Sequence, residues 1–187
     1  EVSALKLRLN EAQGLADMLF AIWSCPVPVI GRVHGDCYAG GVGLAAVCDI
    51  LVAAEGVNFC LSEARLGLLP ATIGPYVVKA LGEQASRRYF TTAERFDAAR
   101  AHALGFVHEV VASEALDAKV DELVAALAAN GPAAVRACKR LVEDVADRAI
   151  DDGLRAETAN RIADIRASAE GKEGVQAFLN KRDPAWR

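Results

Sequence analysis

Ten residues, His34-Gly35-Asp36-Cys37-Tyr38-Ala39-Gly40-Gly41-Val42-Gly43, stand between two short apolar runs and hold four of the fifteen glycines of the chain. This stretch limits the fold more than any other. Upstream, residues 27–33 read as a short buried strand. Downstream, residues 44–47 read as a short apolar helix that Asp49 closes. A chain that turns on glycines between strand and helix, and then repeats the alternation, builds an α/β layer fold. Glycines at a helix start also leave N–H groups pointing outward with the positive end of the helix dipole behind them. Such a terminus can hold a phosphate, a carboxylate or a developing oxyanion. The same glycines would equally let turn and strand pack closely, and spacing alone leaves both readings open.

The rest of the first 112 residues continues the alternation. Leu5, Leu9, Ala12, Ala16 and Leu19 recur at three- and four-residue steps, the stripe of an amphipathic helix. That helix ends before Cys25-Pro26-Val27-Pro28, because residues preceding proline leave the α region. Strands are predicted over 50–54, 57–60 and 106–111, and a loop over 66–72. Pro75 suits the first turn of a helix ending near Gly82. A helix over 84–90 follows, and Asp97 can cap another reaching Leu104. From Ser113 the texture changes to four helical segments, about 114–129, 132–146, 152–168 and 173–180. The expectation is a strand-and-helix domain over 1–112 and a helical region over 113–187. The alanine-rich tail carries a broader apolar stripe than one thin domain needs, which favours packing against another subunit.

Composition excludes several functions. The net charge is −4 and aromatics are 6% of residues, so neither a basic phosphate-binding surface nor a base-stacking platform is expected. The longest uncharged run, 18–31, is shorter than the roughly 20 apolar residues that span a bilayer, and two prolines interrupt it. No membrane or nucleic-acid partner is therefore expected, and no basic-then-apolar leader is visible. Five cysteines without a C-x-x-C pair argue against zinc or a disulfide framework, and for buried thiols in a reducing cytoplasm.

Gly41-x-Gly43-x-x-Ala46, with Glu63 about twenty residues on, matches the dinucleotide-binding fingerprint. However, the predicted strand ends near Val33, well before the glycines, and the helix behind them is short for a parallel crossover. No G-x-S-x-G elbow exists. The histidines, His34, His102 and His108, lack metal-ligand spacing, and His34 suits a turn anchor. Glu63 follows the apolar stretch Asn58-Phe59-Cys60-Leu61-Ser62. A carboxylate leaving a buried strand is partly desolvated, which suits general acid–base work. A helix cap or an ion pair with Arg65 would explain it as well.

Taken together, Pro26-Val27-Pro28-Val29-Ile30, His34-Gly35 through Gly43, Cys48-Asp49-Ile50, Phe59, Leu61-Ser62-Glu63 and Leu66-Gly67-Leu68-Leu69-Pro70 resemble the crotonase superfamily, the enoyl-CoA hydratase/isomerase group. Residues 91–111 and Ala177-Phe178-Leu179-x-Lys181-Arg182-x-Pro184 resemble its later stretches. Leu61-Ser62-Glu63 with Pro70-Ala71-Thr72-Ile73 is most similar to hydratases of branched or carboxylated enoyl-CoA thioesters, such as methylglutaconyl-CoA hydratases.

The resemblance implies an α/β spiral of ββα turns, incomplete at its N-terminus, with a C-terminal all-helical oligomerisation region. It implies hydration of a 2-enoyl-CoA, or alternatively Δ3,Δ2-isomerisation or a non-catalytic oligomer component. Gly40 would supply an oxyanion-hole N–H and Glu63 would be the acid/base. Gly41, Gly43, Leu61, Pro70, Phe178 and Lys181 would contact substrate. No metal and no separate cofactor are implied, since coenzyme A is part of the substrate. The partner would be the chain itself, as a trimer or hexamer. The chain departs from the family at Gly43, where a second glutamate is expected. The strands carrying a second oxyanion donor and the CoA loop would precede residue 1.

Overall fold

The computed structural model describes residues 2–187, with the side chains of residue 6 and of 9–187. It divides into two compact units: residues 1–25 with 29–120, and 26–28 with 121–187.

The first unit opens with helix α1 (Val2–Trp23). Its stripe reaches the core at Leu19, which is fully buried, whereas Leu9 is exposed. The side chain of Leu5 lies outside the described residues. Strand β1 (Ile30–Val33) is shorter than the predicted 27–33, since Pro26 and Pro28 have no N–H to give a ladder. The N–H of Val29 instead goes to the Asp49 carboxylate (2.7 Å). Next come β2 (Cys37–Tyr38), α2 (Gly40–Ala46), β3 (Ile50–Ala54) and β4 (Asn58–Cys60). A single 3-10 turn (Ser62–Leu66) then leads to α3 (Gly74–Leu81) and α4 (Glu83–Thr92). The unit continues through β5 (Phe96–Asp97), α5 (Ala98–Ala103) and β6 (Glu109–Val111). Asp97 caps α5 as expected, accepting from the N–H of Arg100 (2.7 Å).

Two three-stranded sheets result, ordered β1-β3-β6 and β2-β4-β5. The first is parallel throughout, with Ile30 opposite Ile50 and Val52 opposite Glu109. In the second, β2 and β4 are parallel and β5 is antiparallel. Leu51, Val52, Val42, Val47, Phe59, Leu61, Val77 and Val107 are fully buried and form the core of this unit. Phe59 stacks on Phe96 (5.6 Å) and meets Phe106 edge-on (5.4 Å), fixing β4 just before the chain enters Leu61-Ser62-Glu63.

Helix α6 (Leu116–Ala128) carries the chain across the division between the units. The second unit packs α7 (Pro132–Val145), α8 (Asp152–Ala167) and α9 (Ala169–Leu179). Asp151 caps α8 and Ser168 caps α9. The Glu170 carboxylate caps α7 across the unit, accepting from the N–H groups of Ala133 (3.0 Å) and Ala134 (2.8 Å). The α8–α9 corner admits only glycine at 171, where a Cβ would stand 2.1 Å from the Ile165 carbonyl. Among the described residues no helix is long and apolar enough to cross a membrane.

Candidate active site

Parallel pairing decides where the candidate residues meet. Tyr38 of β2 lies opposite Cys60 of β4, and because the strands run the same way, both chains leave the sheet at one end. Gly40 follows the first exit by two residues and Glu63 follows the second by three. The Ala39 N–H donates to the Cys60 carbonyl (2.9 Å), tying the two exits together. The carboxyl ends of parallel strands are where α/β layers place their ligands.

The glycine turn differs from expectation. Helix α2 starts at Gly40, four residues earlier than predicted, so the glycines form its first turn. None of Gly40, Gly41 and Gly43 has a positive φ. A Cβ on Gly40 would meet nothing within 4 Å, and one on Gly41 only the Cys37 Cβ at 3.8 Å. Neither backbone conformation nor internal packing therefore requires glycine at 40 or 41. Their first-turn N–H groups have no carbonyl four residues back to take them. The arrangement is a bare, donor-rich surface open to close approach from outside.

Gly43 stands in different surroundings. It is buried, and a Cβ there would fall 2.2 Å from Cγ2 of Ile73, itself buried. The space into which a side chain at 43 would point is filled by isoleucine. Ala39 carries the strain that the glycines do not. Its φ of 46° and ψ of −115° lie in a region that glycine visits and L-residues avoid, at about 1–3 kcal/mol.

Glu63 sits in the first turn of the 3-10 segment, not at a strand end. Its Oε2 is buried without a hydrogen-bond partner. An orphaned buried oxygen of this kind costs about 1–3 kcal/mol, so the site holds it against a price that a bound proton or ligand donor removes. Arg65 does not explain it: the Arg65 guanidinium donates to the Ala93 carbonyl (2.5 Å), which also accepts from the Cys60 thiol (3.3 Å). That bond clamps the 3-10 turn to the end of α4, and Gly67 closes the turn in the left-handed region (φ 70°). Leu61 and Pro70, both expected to contact substrate, are buried. The exposed apolar groups beside Glu63 are Leu66, Leu68 and Leu69, at 76%, 60% and 74%.

Around the turn, the backbone N–H of Asn58 (2.8 Å) and then its side-chain amide hold the Asp36 carboxyl below its ordinary range. Burial first, and the Asp36 charge second, push the Cys37 thiol up, which keeps it a neutral thiol. His34 is exposed. Phe178 and Lys181 belong to the second unit, where the Lys181 N–H donates to the Phe178 carbonyl (3.2 Å) and Phe178 is largely exposed.

The sequence names Ala39, Ile73 and the exposed leucines only as parts of motifs and assigns them no role at the site. An alanine before two glycines gives no sign of strain, and the approach of Ile73 to Gly43 is a tertiary fact. Strand β2 escaped the sequence reading. This strand brings regular structure to within two residues of Gly40, so distance from a strand no longer separates the turn from a dinucleotide site. The shortness of α2, at seven residues, still does.

The chain matches the enoyl-CoA hydratase/isomerase family over residues 9–187. Enoyl-CoA hydratase ACTT6 of Alternaria alternata is 34% identical over 174 residues, covering 92% of this chain and 58% of that protein. Carnitinyl-CoA dehydratase of Citrobacter koseri is 32% identical over 173 residues, covering 90% and 66%. The crystal structure of an enoyl-CoA hydratase from Shewanella pealeana superposes with a TM-score of 0.91 at 41% identity, covering 97% of this chain and 68% of that one. The chain thus spans about three fifths to two thirds of the length of these relatives.

Proposed function

Because this chain belongs to the enoyl-CoA hydratase/isomerase family, we propose that the protein hydrates a 2-enoyl-CoA thioester through an enolate held at the α2 turn. One observation carries the reading. The buried, unpartnered Glu63 Oε2 stands at the same sheet end as the open first turn of Gly40 and Gly41. The thioester carbonyl oxygen would lie on the Gly40 N–H, where the negative charge of the enolate is stabilised by a donor already in place. Water then adds to Cβ and its proton passes to the Glu63 carboxylate. The protonated Glu63 delivers that proton to Cα, so the product is the 3-hydroxyacyl thioester and the carboxylate is regenerated. One carboxyl group can perform both transfers.

Branched or carboxylated acyl chains, 3-methylglutaconyl-CoA among them, are the substrates to try first, on the likeness of the Leu61-Ser62-Glu63 and Pro70-Ala71-Thr72-Ile73 stretches. The substrate carries its own coenzyme A, and no other cofactor enters the reaction. Phe178 and Lys181 would meet the nucleotide end of a substrate in a homotrimer or hexamer. The reading places the protein in a reducing cytoplasm; of its five free cysteines only Cys60 is buried, against the expectation of buried thiols, and Cys138 is exposed.

A second reading has its own support. Ile73 fills the space beside Gly43, so no second carboxylate can stand there without repacking. A Δ3,Δ2-isomerase needs only one base, which removes a proton from Cα and returns it at Cγ. An ultraviolet assay of the full-length protein separates the two. Crotonyl-, 3-methylcrotonyl- and 3-methylglutaconyl-CoA should lose conjugated absorbance if the protein hydrates them. Gain of absorbance from a 3-enoyl-CoA marks isomerisation instead, and no change with any thioester overturns both.

A further inference from the structure

We infer that Ala39 is a positioning residue, a strained alanine whose Cβ fixes the direction of the Gly40 N–H. The inference rests on the reading of Gly40 as an oxyanion donor. That N–H belongs to the peptide unit between residues 39 and 40, and the ψ of Ala39 sets its orientation. At φ 46° and ψ −115°, Ala39 occupies backbone space where glycine is comfortable and alanine is not. Three glycines stand within the next four residues, and none of them uses a positive φ. The alanine therefore occupies the one position in the turn that would suit glycine best.

The surrounding bonds hold it there. The Ala39 N–H donates to the Cys60 carbonyl (2.9 Å), and its own carbonyl accepts from the N–H groups of Val42 (2.9 Å) and Gly43 (3.4 Å). Glycine could make all three bonds without strain, but in a broad basin that leaves the peptide free to rock. With a Cβ present, few neighbouring conformations are open. The donor is then fixed before substrate arrives, as electrostatic stabilisation of an enolate requires. Strain held by redundant bonds is a common device at reacting sites.

The test compares Ala39→Gly and Ala39→Ser with the wild type in the full-length protein. The measurements are melting temperature, kcat, KM and amide exchange at residues 40–41. Ala39→Gly is expected to melt no lower than the wild type, because relief of strain offsets the added freedom of the unfolded chain. Its amides at 40–41 should exchange faster and its kcat should fall by about tenfold. That is less than the roughly 10²- to 10³-fold cost of losing such a donor outright. Its KM should stay within about twofold. Ala39→Ser, which restores a Cβ, should rescue turnover. Unchanged kcat in Ala39→Gly, or a fall matched by a lower melting temperature, would overturn the inference while leaving the proposed reaction intact. If the wild type turns over no thioester, the proposed reaction fails by itself. Amide exchange then decides the inference: faster exchange in Ala39→Gly supports it, and equal exchange overturns it.

Discussion

Gly40 and Gly43 lie three residues apart on one short helix, yet a methyl group added at each meets opposite surroundings. At 43 the Cβ lands 2.2 Å from Ile73 Cγ2. Gly43→Ala should therefore lose about 1–3 kcal/mol of stability, the usual cost of overpacking a core, read as a lower denaturation midpoint. Gly43→Glu, the change that would supply a second carboxylate, should fold only with a companion such as Ile73→Ala. At 40 nothing lies within 4 Å. Gly40→Ala should keep its melting temperature and instead lose turnover, because the methyl occupies the surface that the thioester carbonyl would approach in the proposed reaction. If Gly40→Ala loses stability and Gly43→Ala does not, the assignment of open and packed glycines is wrong.

At the scale of elements, Phe59 joins fold to site. Packed between Phe96 and Phe106, it fixes the strand from which Glu63 emerges. Phe59→Ala should cost about 3–5 kcal/mol in a denaturant titration, the range for a buried aromatic. A change below about 1 kcal/mol would mean that β4 is held by something else. Strand β3 and helix α5 were legible in the sequence because each is specified locally, by a run of buried apolar residues over 50–54 and by an Asp97 cap. Strands β2 and β5, of two residues each, were not, because strands that short exist only through their pairing with β4. The site divided the same way. Glu63 and the glycine turn could be found by residue type, whereas Ala39 and Ile73 matter through a dihedral angle and a contact that residue type does not encode.

At the scale of the whole molecule, acid should loosen both units. Asp36 in the first is held low by Asn58. In the second, Arg161 lowers Asp144, Arg148 lowers Glu157, and Arg182 lowers Glu173. Each carboxyl lies lower in the folded chain than its ordinary value of 3.8 or 4.5. The stability they contribute is thus present above that range and lost as the pH falls through it. Melting temperature should hold from pH 7 to about 5 and drop below about 4. A melting temperature that rises on acidification would contradict these assignments. Val142, Ile150, Ile162, Val175 and Phe178 are all exposed in the second unit, apolar groups that subunit packing would cover. Light scattering of the full-length protein at micromolar concentration should report a trimer or a multiple of it, and a stable monomer would count against that assembly. The proposed reaction hangs on Glu63, and the most direct measurement is turnover of Glu63→Gln on whichever enoyl-CoA the wild type uses best. Loss of about 10²- to 10⁴-fold in kcat with an unchanged melting temperature is the result expected of a positioned acid/base. Wild-type turnover in Glu63→Gln would contradict it.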